Sequence, residues 1–443
     1  MLSANSAGRV IAWPTAPAAP ASRSKPTRPS FVDHAFVVTT FLLTMVLNRL
    51  LGDLSDVGDR GSIVAQLIWA TVYIGAVIGL VVAGRRSIDL MKRSPLALLV
   101  VALALVSMIW SEDPQLTLRR SIGLLGTVAF AYYVVARFDL PSFLRVFAWT
   151  MALTACLSIV VILMIPDFGL MQDAYAGSWR GILNHKNGLG IAVVLGTLTL
   201  IIACPKRPVL WSIAAGAAAL LCGVEVAATQ SVTSYVTAAL CAVAAILLVI
   251  ARSTRIGRII AIVLVLLASG SLLGALVSGP DVANALAAIG REGSLTGRTD
   301  LWSSALRAIG DRPFFGFGYD VFWEQNGIFL QYNPGAGWAY GSHNGYLEAL
   351  LDFGLVGGAI IAAMIVIGLL RASALAAATH SRAVAWPLLA IIAFVVVNLS
   401  EGEIAKDDSF IWIAFMIAFL YATADRSLMP GRIGSNPSRR TPP

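Results

Sequence analysis

Long apolar runs recur along this chain, separated by short polar breaks, and that pattern leaves few folds open. A run of about 20 apolar residues matches the hydrocarbon thickness of a bilayer, and backbone in lipid must satisfy its own hydrogen bonds, as a helix does. The runs predict spans near 34–51, 62–83, 95–110, 121–136, 143–165, 187–204, 208–226, 232–251, 257–279, 346–370, 384–400 and 409–424. The 95–110 segment is short, and the Ala/Ser/Thr-rich stretch AATQSVTSYVTAA predicts a tight hairpin or an interfacial break. Composition agrees: 58% of the 443 residues are hydrophobic and 13% charged, against about 25% charged in a soluble domain. The expected fold is an all-α polytopic membrane protein with about 12 transmembrane helices.

The net charge of +8 reports orientation first. With an even number of spans both termini share one side, and roughly two thirds of the 32 Lys and Arg residues then fall on it, which marks that side as cytoplasmic. Residues 1–30 mix Pro, Ala, Ser and four cations and lack the apolar run of a secretory signal, so they read as a disordered basic tail. Residues 31–424 form the membrane domain, and 425–443 form a second basic cytoplasmic tail. Short connections on the other side are acidic or mixed, as at 52–59 and 401–408, and their acids read as solvated. The long loop at about 280–342 faces outward with them. Nucleic acid is not an expected partner; the bilayer is.

Common catalytic signatures are missing. No cysteine pair has metal-ligand spacing, and there is no phosphate-binding P-loop, nucleophile elbow or zinc-protease helix. The Gly316-Phe-Gly318 pair reads as a turn. Neither a cofactor nor a metal is expected.

Chemistry therefore falls to three outward segments. The first, Tyr175–Gly190, holds Arg180, His185, Lys186 and Asn187. The second, Gly297–Gly310, reads as a short helix capped by Thr299 or Asp300, with Leu301, Ala305 and Ile309 on one face, and a turn follows it from Asp311 to Tyr319. The third, Gly341–Asp352, carries His343, Asn344, Glu348 and Asp352 into the next span, with Glu348 and Asp352 on one helix face near His343. Guanidinium groups suit a diphosphate, asparagines suit sugar hydroxyls, and a near-neutral imidazole suits removal of a hydroxyl proton. Each residue also has a plain structural reading. Arg119 and Arg120 fit snorkelling equally well, Arg298 a helix start, Arg180 with His185 and Lys186 a solvated loop, and His343 a helix cap. Glu225, alone among apolar residues, marks either a buried carboxyl or a span end.

The segments Trp179-Arg-Gly…His185-Lys-Asn-Gly-Leu-Gly190 and Gly297-Arg-Thr…Trp302 with Arg312–Tyr319 resemble the O-antigen ligase and Wzy-type polymerase superfamily. His343-Asn344, nine residues, then Gly354-Leu-Val-Gly357 matches that family's pattern without a gap. The combination is most similar to the exopolysaccharide-polymerase branch. The resemblance implies a fold related to C-type membrane glycosyltransferases, no metal, and a donor glycan on undecaprenyl diphosphate. It implies His343 as the catalytic base, and Arg180 and Arg298, with Arg119 and Arg120 as weaker matches, as diphosphate ligands. His185, Lys186, Asn187, Asn344, Glu348 and Tyr319 are further substrate-binding candidates. The implied location is a bacterial inner membrane with the active site facing the periplasm, and a flippase and a chain-length regulator are secondary partners. The product is a lengthened polymer or, on lipid A-core, a ligated glycan. Two other classes stand beside it: a metal-dependent glycosyltransferase using Asp53, Asp56 and Asp59 or Glu401 and Glu403, and a polysaccharide transporter.

Overall fold

The computed structural model describes residues 29–52, 63–172, 175–204, 208–251, 296–324, 327–335, 339–379 and 381–424. The 257–279 span, the acids Asp53, Asp56 and Asp59, the start of the outer loop and nearly all of both tails lie outside the described residues. The first ten helices are α1 Phe31–Gly52, α2 Ile63–Ala83, α3 Arg85–Arg93, α4 Pro95–Val106, α5 Pro114–Arg137, α6 Leu140–Met164, α7 Pro166–Gly169, α8 Lys186–Ala203, α9 Val209–Ala228 and α10 Val232–Ala251. The last five are α11 Thr296–Asp311, α12 Phe329–Tyr332, α13 Gly345–Ala378, α14 Trp386–Val397 and α15 Phe410–Thr423. Among the described residues the one β feature is an isolated bridge between Leu170 and Trp179.

Among the described residues six helices are long and apolar enough to cross a membrane: α2, α6, α8, α9, α10 and α13. A seventh crossing results if α3 and α4, bent by 83°, form one broken span. The apolar stretches Phe31–Leu47, Arg382–Val397 and Phe410–Thr423 are shorter. The chain is thus a multi-pass membrane protein, and its described residues form helices and their connections. Helices α14 and α15 are almost wholly buried, whereas α2 and α9 turn most of their surface outward. The expected break before α10 is a three-residue turn through Gln230, whose φ is +51°. Glu225 sits inside α9, fully buried, with no hydrogen-bond partner for its carboxylate among the described residues.

Helix starts follow their capping residues. Asp113 accepts the Leu116 N–H at 2.9 Å ahead of α5, Asp139 accepts the Ser142 N–H at 2.8 Å ahead of α6, and Ser409 accepts the Trp412 N–H at 3.0 Å ahead of α15. Lipid offers apolar side chains no reason to leave it, so the interior depends on close fit. Phe394 and Phe415 stack at 4.1 Å, and the Tyr73 ring lies directly against Gly126.

Helix α13 is broken at Gly354, whose φ is +62° and ψ −162°. The break frees backbone groups that helix geometry normally pairs, and the turn before Tyr319 takes them up. The Leu355 and Val356 N–H groups donate to the Pro313 and Phe314 carbonyls at 2.7 and 3.1 Å. In return, Phe317 and Gly318 donate to the Leu351 and Asp352 carbonyls at 2.7 and 3.3 Å. A side chain at Gly354 would strike the Phe314 backbone. The motif glycine therefore has a physical cause: it welds the outer loop to the broken helix just beyond His343.

Candidate functional site

Chain segments far apart in sequence meet at one end of the bundle, around a cavity of about 600 Å³. Its wall includes His185 and Asn187 from the start of α8, Arg298 from α11, and His343 from the turn before α13. The connection between α14 and α15 adds Glu401, Glu403 and Asp408.

His343 is held in an uncommon backbone conformation, φ +52°, by restraints on both neighbours. The Ser342 N–H donates to Glu348 Oε1 at 3.0 Å, and the Ser342 carbonyl accepts from the Trp302 indole at 2.7 Å. Asn344 donates its N–H to Ser342 Oγ at 3.1 Å and caps α13 by accepting from Tyr346 and Leu347 at 3.1 and 3.2 Å. The Gly345 N–H is shared by the Asn398 and Glu401 carbonyls, both at 2.9 Å. His343 thus projects from a locked turn into open space. Although reachable from the cavity, it is walled closely enough that desolvation, aided by the Arg298 charge, holds its imidazole below its ordinary pKa. That favours the neutral form, which can accept a proton.

Asn187 donates its amide to Glu401 Oε1 at 2.6 Å, and Arg298 donates to the Ser400 carbonyl at 3.4 Å. Burial pushes the Glu401 carboxyl up to about 7, against the opposing pull of Arg298 and of the Asn187 hydrogen bond. Burial likewise pushes Glu403 up to about 7, against a hydrogen bond from Ser409. The reading of the 401–408 acids as solvated is therefore corrected. These residues form the connection between α14 and α15, where Glu401, Glu403 and Asp408 are half-buried and face the cavity. Among the described residues no group of three His, Cys, Asp or Glu side chains is arranged to hold a metal ion.

Behind His343 lies a network of charges. Glu348 and Asp320 both face Lys406, the former at 3.8 Å and the latter in direct contact. Arg120 pairs with Asp320 at 3.4 Å and with Glu324 at 2.6 Å. Burial works against the Lys406 ammonium, but Asp320, Glu348 and Asp352 outweigh it and hold its pKa above normal. For Asp320 burial is likewise outweighed, by Lys406 and Arg120, so its pKa lies below normal. Tyr319, fully buried, donates its hydroxyl to the Ala405 carbonyl at 2.5 Å and stacks on Phe353.

The other expected site residues are placed as follows. Arg180 donates from Nε to the Phe168 carbonyl and from a terminal nitrogen to the Asp167 carbonyl, both at 3.1 Å, and it is not on the cavity wall. Lys186 is buried, its ammonium 3.9 Å from the Tyr175 ring centre and 3.3 Å from the Gln230 carbonyl. His185 caps α8 through Nδ1, which accepts the Asn187 N–H at 3.2 Å. Arg119 lines a different cavity, with Glu112 and Gln331. Helix α11 begins at Thr296, ahead of the expected Thr299 or Asp300 cap; of the three residues expected on one face, Leu301 and Ala305 are buried and Ile309 is partly buried against the same cluster.

Residues 217–362 match the family described as O-antigen ligase. That stretch contains Arg298, His343 and Gly354, and the 175–190 and 401–408 segments lie beyond it. The chain is also 28% identical over 267 residues to exopolysaccharide production protein ExoQ of Rhizobium meliloti (strain 1021). The alignment covers 57% of this chain, and it spans 59% of the length of that relative.

Proposed function

We propose, from the chain's similarity to the O-antigen ligase family and to an exopolysaccharide production protein, that it is a membrane glycosyltransferase that lengthens a polysaccharide at the His343 cavity. The observation that carries this reading is the locked His343 turn facing Arg298 and Glu401 across one cavity. The donor is a glycan on a polyprenyl diphosphate, specifically undecaprenyl diphosphate, whose tail lies among the helices on the periplasmic side. Arg298 presents a planar fork to the diphosphate oxygens. The neutral His343 imidazole takes the proton from an acceptor hydroxyl, and the resulting oxygen attacks the anomeric carbon. The new C–O bond forms as the bond from that carbon to the diphosphate breaks, and Arg298 stabilises the charge left on the diphosphate. Asn187 and Glu401, already joined, offer a donor and acceptors to the sugar hydroxyls.

Arg180 and Arg120 are reassigned within this reading. Arg180, bound to two carbonyls of α7, fixes the 166–185 turn, and Arg120 anchors Asp320 and Glu324. Transfer to lipid A-core is the second reading, favoured by the family's description as O-antigen ligase. The word exopolysaccharide in the relative's name favours polymerisation.

Arg298→Lys tests the phosphate role. An ammonium keeps the charge and loses the bidentate fork, so polymer formation in a strain lacking the native gene should drop at least tenfold at equal protein level. Wild-type polymer from that variant would leave Arg298 a structural residue.

A further inference from the structure

Glu348, in the first turn of α13, is the point at which the His343 turn meets the 401–408 connection. Its side chain is buried, and Oε1 accepts the Ser342 N–H at 3.0 Å and lies 3.2 Å from the Ser342 hydroxyl. The carboxyl also packs against two glycines. A side chain at Gly402 would overlap both of its oxygens, and one at Gly341 would come within 2.8 Å of Oε1. Gly402 stands between Glu401 and Glu403, which are both on the cavity wall with His343. One carboxyl thus sets the spacing between the turn that carries His343 and the acidic part of that wall.

A carboxylate in such a place needs a counter-charge, because burial strips its hydration and only a cation and hydrogen bonds replace it. Among the described residues, the cation that pairs with Glu348 is Lys406, 3.8 Å from Oε2. Asp320, in direct contact with the same ammonium, fixes its position, and Arg120, 3.4 Å from Asp320, balances that second carboxylate. Asp320 belongs to the loop between α11 and α12, Glu348 to α13, and Lys406 to the connection between α14 and α15. Three segments around the site are therefore joined through one ammonium. Lys406 itself is not on the cavity wall.

We infer that Lys406 is a positioning residue for His343: by holding Glu348 as a carboxylate against the Ser342 amide, it fixes the direction in which the imidazole projects and its distance from Glu401 and Glu403. The inference rests on the glycosyl-transfer reading for what the turn is used for, whereas the contacts stand without it. The left-handed backbone of His343, φ +52°, persists only while its surroundings hold it. A displacement of about 1 Å at a reacting group can cost about 10² in rate.

The test uses the full-length protein in liposomes with a polyprenyl-diphosphate oligosaccharide, and amide hydrogen–deuterium exchange of the same proteins in detergent. Lys406→Met keeps the length of the side chain and removes its charge. Its kcat should fall at least tenfold while KM for the donor stays within about threefold, because Arg298 is untouched. Exchange in peptides covering 341–348 should accelerate several-fold, with α14 peptides unchanged. Glu348→Gln keeps an oxygen for the Ser342 N–H and needs no counter-charge. In that background the further change Lys406→Met should cost less than about threefold in kcat, a comparison that holds even where Lys406→Met alone does not fold. Losses that multiply in the double variant, wild-type kcat in a folded Lys406→Met protein, a rise in KM in place of the fall in kcat, or acceleration spread over α14 would each overturn the role. Local acceleration in Lys406→Met, with no sugar transfer by any of the proteins including wild type, would leave the coupling of Lys406 to the turn standing and remove the glycosyl-transfer reading instead.

Discussion

At the scale of single residues, the site divides by what each side chain is bonded to. His185, Asn187, Arg298 and His343 stand out in the sequence because polar groups are scarce in an apolar chain, and the structure gathers them on one cavity wall. Glu401 was illegible because its meaning depends on Asn187, 214 positions away, and on the burial of the connection that carries it. For Arg180 and Lys186 the converse holds: the carbonyls and the ring that bind them do not announce themselves in sequence. Glu401 also gives a pH signature. Its carboxyl, at about 7, keeps a proton in the folded chain that the unfolded chain has released, so its contribution to stability fades as pH rises through about 7. Glu401→Gln cannot ionise, and it should raise the melting temperature more at pH 8 than at pH 5. Equal shifts at the two pH values would mean that Glu401 does not titrate in that range.

At the scale of elements, the helices were legible wherever an apolar run exceeded the length of a turn, and helices overlie each expected span within the described residues. The break in α13 was not. Its cause is divided between Gly354 and the Pro313–Gly318 turn, which looked like ordinary punctuation until its backbone was seen pairing with residues 351–356. The same division explains why sequence spacing alone could not say what the motif glycine does. Gly354→Ala would carry both a left-handed backbone penalty and a clash with the Phe314 carbonyl. Such strain costs on the order of 1–3 kcal/mol before any clash is counted, so the variant should melt several degrees lower in detergent. Activity should fall with it, because the turn it disrupts leads back to His343. A melting temperature equal to wild type would show that the turn and the helix are not coupled there.

At the scale of the whole molecule, buried helices α14 and α15 carry between them the connection that completes the cavity, and the more exposed helices α2 and α9 form part of the periphery. The proposed orientation, with the cavity end outside, rests on the charge asymmetry of the short connections. Tyr340, 74% exposed near that end, should react as Tyr340→Cys with a membrane-impermeant maleimide in osmotically opened cells, whereas Arg145→Cys, on the opposite side, should react only after the membrane is permeabilised. The reverse pattern would invert the orientation. The central claim, glycosyl transfer based on His343, is met most directly by the single-turnover rate of purified wild-type and His343→Ala protein in liposomes, supplied with a polyprenyl-diphosphate oligosaccharide. General-base removal costs about 10²–10⁴ in rate. The variant should fall by at least a hundredfold while it keeps its fold and its affinity for the donor. Transfer by a folded His343→Ala protein at the wild-type rate would contradict the claim.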